Sequence, residues 1–113
     1  MSYVDYEAQA ADYRRDVSRD YYRARKYAKN AAREYKQAAF FLRHARWLTE
    51  RPDLCDAECN AANFESYART TLRLADTLLN SSFGYTERAR FHAGLARQYD
   101  DLAARSRARL AGV

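Results

Sequence analysis

Residues 78–86 read LLNSSFGYT, and how they are read decides how many helices this chain has. Asn80, Ser81, Ser82 and Gly84 are all weak helix formers: Asn and Ser side chains compete for nearby backbone groups, and Gly loses the most backbone freedom on ordering. Taken as a stop and turn, with Gly84 free to adopt a positive φ and Thr86 as the next cap, they separate two amphipathic helices at about 54–80 and 85–111. The first of these presents Ala57, Phe64, Ala68, Thr71, Leu72, Ala75, Leu78 and Leu79 on its apolar face, with Asp53 or Asp56 as its cap. The second presents Ala89, His92, Ala96, Tyr99, Ala103 and Leu110.

Upstream, no Gly or Pro occurs from Ser2 to Arg51. Tyr3, Ala10, Val17, Ala24, Ala31, Ala38 and Ala45 recur at seven-residue intervals, with Tyr6, Tyr13, Tyr21, Ala28, Tyr35 and Leu42 as companions. The pattern predicts one helix over about 2–51, roughly 70 Å long, ended by Pro52 because the residue before a proline is forced out of the α region. Between Tyr35 and Leu48 the apolar residues nearly encircle this helix, which predicts burial by more than one neighbour, whereas the N-terminal half is apolar on one face only. The expectation is an all-α three-helix bundle whose long N-terminal helix projects beyond the other two. The alternative is a four-helix bundle with a break near Ser18, where Ser18 or Asp20 caps a new helix.

Composition agrees with an all-helical chain. Its 113 residues include three Gly and one Pro, and isoleucine is absent, which disfavours strands. The length corresponds to a single domain, 1–113. The N-terminus carries Asp5, Glu7 and Asp12 and no apolar run, no window is long and apolar enough to span a bilayer, and two cysteines are too few for a disulfide framework; a cytoplasmic location without membrane association is expected.

The net charge of +5 is unevenly placed, with basic residues concentrated in 14–51 and 88–113 and acidic ones in 1–13 and 52–87. Nothing in the chain has the form of a catalytic constellation, a phosphate-binding glycine loop or a metal motif. Cys55 and Cys59 with His44 and His92 are the nearest approach to a zinc site, but the cysteines fall on the side of their helix away from His92. His92 is read as a core histidine with a hydrogen-bonding partner such as a core tyrosine, and His44 in the same way. No catalytic residue, metal or cofactor is therefore predicted.

Two features of the first helix point to partners. The stripe Tyr3, Tyr6, Ala10, Tyr13, Val17, Tyr21 and Ala24 is a large apolar patch on a projecting helix, and a second copy of the chain would cover it as a homodimer. Arg15, Tyr22, Arg25, Lys29, Arg33 and Lys36 form a basic face suited to an acidic protein. The reading is a small non-enzymatic interaction protein, with nucleic-acid binding through the basic face as the alternative. Tyrosines and cations are largely on different sides of the helix, whereas a nucleic-acid site needs them together; Phe40 and Trp47 are assigned to the core.

Overall fold

The computed structural model describes residues 5–54 and 56–112; Tyr3 and Cys55 lie outside them. Its elements are two helices, α1 (Tyr6–Thr49) and α2 (Ala57–Ala111). No strand occurs among the described residues, and none of their helices is long and apolar enough to cross a membrane.

The three-helix bundle is thus replaced by two long helices. The 80–84 stretch does not turn: α2 runs through it, and no glycine among the described residues has positive φ. The reason is that its small residues suit a helix seam. Ser82 is buried in line with Ala75 before it and Ala89 after it, Ser81 Oγ donates to the Thr77 carbonyl, and Gly84 faces open space. Local propensity costs a few tenths to about 1 kcal/mol per residue, which continuous packing overrides. The alternative break near Ser18 is absent as well, because Ser18 is exposed while Val17 and Asp20 stay in the seam.

Each helix carries two rows of inward residues at heptad spacing. On α1 the small row is Ala10, Val17, Ala24, Ala31, Ala38 and Ala45; on α2 it is Ala61, Ala68, Ala75, Ser82, Ala89, Ala96 and Ala103. Apart from Leu48, every buried apolar residue described is an alanine, and such small side chains let two helices approach closely. The large row of α1 is Tyr6, Tyr13, Asp20, Tyr27, Glu34, Phe41 and Leu48. The expected companions Tyr21 and Leu42 are instead exposed, one position out of register. The strict heptad continues through Asp20 despite its charge, because Asp20 finds a partner on α2.

By internal packing the chain divides into two compact units, 1–24 with 83–113 and 25–82. In the first, termed the terminal unit, the helices run antiparallel, as shown by the pairs Glu7 with Arg107, Arg14 with Asp100 and Asp20 with His92. The expected projecting N-terminal half is thus covered along its length by α2. Tyr13 lies 5.5 Å from Tyr99 and 6.0 Å from His92, centroid to centroid. Asp5 caps α1, its Oδ1 accepting from the Ala8 amide at 3.0 Å.

In the second, the loop unit, α1 and α2 again run antiparallel and meet at the 50–56 connection. Ala45, Leu48 and Ala61 form its core, with Phe64 packed against them. Arg51 closes the end of α1 by donating to the Trp47 carbonyl at 2.9 Å, where a cation complements the helix C-terminus. Asp56, at φ 59°, occupies the left-handed region that Asp tolerates, and its carbonyl accepts the first α2 bond from the Asn60 amide.

Candidate partner-binding surface

A helix encircled by apolar residues needs several neighbours, and among the described residues α2 is the one helix packed against 35–48. The excess is left at the surface of the loop unit. Phe40 is 50% exposed, Trp47 43%, Tyr67 52% and Leu74 48%; with Leu42, also exposed, this corrects the assignment of Phe40, Leu42 and Trp47 to a core. Four large side chains half exposed amount to about 400 Å² of apolar area, at the size where surface patches on monomers are often functional.

The rings are ordered rather than scattered. Phe40, His44 and Trp47 are one turn apart on α1 and stack along its axis, Phe40 to His44 at 6.1 Å and 11°, His44 to Trp47 at 5.8 Å and 12°. His44 also meets the Phe64 ring edge-on at 4.5 Å, which links the stack to Phe41, Phe64 and Tyr67. His44, expected as a core histidine with a hydrogen-bonding partner, is instead half-buried among rings and links the two helices through them. Beyond Trp47 the Arg51 guanidinium lies 4.1 Å from the ring centroid.

Cations border this aromatic surface. Arg25, Lys29, Arg33 and Lys36 of the expected basic face are all exposed, and Arg43 extends the row beside Phe40 and Trp47, lining a shallow hollow with them. Among the described residues, Lys29, Arg33, Lys36 and Arg43 form no ion pair. Arg15 and Tyr22 are exposed on the terminal unit, where Arg15 pairs with Asp12. Sequence reasoning missed Phe40, Trp47 and Tyr67 as surface groups; the signal was an all-round apolar segment on a chain whose heptads supply only one partner helix.

The residues of the expected dimer seam sit elsewhere. Ala10 and Ala24 are buried, Tyr6, Tyr13 and Val17 are half-buried beside α2 in the terminal unit, and Tyr21 is exposed. His92 does have a partner: its Nδ1 lies 2.7 Å from Asp20 Oδ2, so the partner is a carboxylate rather than a tyrosine hydroxyl. Cys59 is exposed, and no cluster of three metal-capable side chains occurs among the described residues. In the loop unit the Tyr35 hydroxyl donates to the Asp76 carboxylate, which raises the phenol above its usual pKa. No protein-family model, curated protein or solved structure matches this chain.

Proposed function

We propose that this is a non-enzymatic helical interaction protein that binds a protein partner through the aromatic and basic surface of its loop unit. The observation that carries the reading is the coincidence, on the outer side of α1, of half-exposed Phe40 and Trp47 with exposed Lys36 and Arg43, which form no ion pair among the described residues, while Tyr67 is half-exposed on α2 of the same unit. Aromatic residues and arginine dominate the energetics of protein interfaces, and a patch of this size with its charged border approaches the ~800 Å² that one side of a standard interface buries. The Tyr6, Ala10, Tyr13, Val17 and Ala24 stripe is packed against α2, so a second copy reaches it only by displacing that helix. The partner contact is accordingly moved to the loop unit.

A second reading, nucleic-acid binding, gains from one observation. Phe40 and Trp47 share the outer face with Lys36 and Arg43, and the sequence had seemed to keep aromatics and cations apart. Site-specific photocrosslinking tests the main reading. A benzophenone side chain at position 40, introduced in the source cells, is expected to give discrete protein adducts that the same group at exposed position 91 does not. Adducts equal from both positions, or found only with nucleic acid, would overturn it.

A further inference from the structure

The surface has a periodicity of its own. Lys29, Arg33, Lys36, Phe40, Arg43 and Trp47 follow one another at alternating steps of four and three residues, on the side of α1 opposite the buried Ala31, Ala38 and Ala45 row, and all six are exposed. Alternating three- and four-residue steps keep side chains in line along a helix, which is the pattern one helix offers to another lying along it. α1 therefore has two seams in the loop unit: an inner alanine seam filled by α2 and an outer seam left exposed among the described residues.

We infer that the occupant of the outer seam is an acidic amphipathic α-helix of a partner protein, with carboxylates along Lys29, Arg33, Lys36 and Arg43 and aliphatic side chains at Phe40 and Trp47. The inference rests on the partner-binding reading above and specifies its chemistry. Charge sets the sign: the stripe carries four cations and no carboxylate, and these form no ion pair among the described residues, so a second copy presenting the same face brings nothing to neutralise them. Ring geometry sets the class. Single-stranded nucleic acid binds by stacking bases on open aromatic faces. The Trp47 ring has His44 parallel to it on the preceding turn and the Arg51 guanidinium over it on the following one. Phe40 has the same His44 ring alongside. Trp47, with a group on the turn to either side of it, is left mainly its edge for a partner, which suits aliphatic contacts from a neighbouring helix.

Trp47 is the single tryptophan of the chain, so its fluorescence reports this seam alone. The intact protein is titrated with a synthetic four-heptad helix bearing Glu along one such stripe and two Leu a heptad apart within it. A twin with Lys for Glu, oligo(dT) of twenty nucleotides and phosphatidylglycerol vesicles are titrated alongside. The expected result is a saturable blue shift with the acidic helix alone, at least about tenfold weaker in Phe40→Ala. Arg33→Glu with Lys36→Glu is expected to transfer the preference to the Lys helix. A shift with oligo(dT) or vesicles but not with the acidic helix would overturn the helical occupant while leaving a binding surface in place. Silence of Trp47 toward every probe, together with no adduct from position 40, would overturn both readings.

Discussion

The terminal and loop units share one construction and put it to different uses. In both, alanines at heptad spacing bring antiparallel helices together. The terminal unit then surrounds its seam with polar partners: Glu7 with Arg107 and Arg14 with Asp100 flank the helices, Asp20 meets His92 inside, and half-buried Tyr99 stacks on Tyr13 and meets Tyr6 at a tilt. All the ion pairs described between α1 and α2 belong to it. The loop unit has no such ion pair between its helices among the described residues, and its one described polar bridge is Tyr35 to Asp76; its inward rows include Phe41, Leu48, Phe64 and Leu78, and its surplus aromatics pass outward beside Lys36 and Arg43, which form no described ion pair. The terminal unit also exposes Phe83 and Phe91 on α2, but apart from the contact of Phe91 with its neighbour His92 no ring cluster is described around them. Polar pairing within a seam fixes register and alignment at some cost in stability. Leaving apolar and basic groups unpaired, by contrast, is worthwhile only where something else comes to cover them.

The shared part of the comparison gives the largest expected effect. Ala89→Leu in the terminal unit and Ala68→Leu in the loop unit, both at fully buried positions, should each destabilise by about 3 kcal/mol through overpacking. Urea unfolding measures this, and a tolerated leucine in only one unit would show that the seam is not common to both. Next, Asp20→Ala should cost about 2 kcal/mol, since it leaves partly buried His92 without its hydrogen-bonding partner. Replacing both by leucine should recover most of that loss. Recovery failing in the double variant would assign Asp20 a role outside this pair.

Smaller effects sharpen the contrast. Gly84→Ala and Gly94→Ala should each stabilise by about 0.5 to 1 kcal/mol, because a Cβ at either position meets nothing within 4 Å and helix interiors disfavour glycine. A loss of stability at Gly84 would instead indicate a turn there. Arg14→Ala should cost about 0.5 kcal/mol or less, and the difference should vanish in high salt, as for any exposed pair. Phe40→Ser should shift unfolding by less than about 0.5 kcal/mol, the ordinary range for surface changes, though it removes a ring from the proposed interface. A large loss would return Phe40 to the core.

Much of this was legible in the sequence. The apolar faces on either side of the 80–84 stretch are one series: Ala75 and Ala89, like Leu78 and His92, are separated by two heptads, with Ser82 and Tyr85 between them. Four weak helix formers among the five residues 80–84 obscure that regularity, although their combined propensity cost is small beside packing. Asp20 was passed over as a seam residue because a carboxylate in a core position makes sense only once its partner is known, and His92 lies 72 residues away. The basic face was readable from α1 alone, since exposure on the far side of a helix follows from its period. The aromatic part was not, because whether Phe40 and Trp47 face a third helix or nothing depends on how many helices there are.

The difference between the units is tested most directly by hydroxyl-radical footprinting of the free chain, read ring by ring by mass spectrometry. The account predicts rapid oxidation of Phe40, Trp47 and Tyr67 and slow oxidation of Tyr6, Tyr13 and Tyr99, with protection of the first set alone when the acidic helix is added. Equal rates in the two sets, or protection that appears first at Tyr13 and Tyr99, would contradict it.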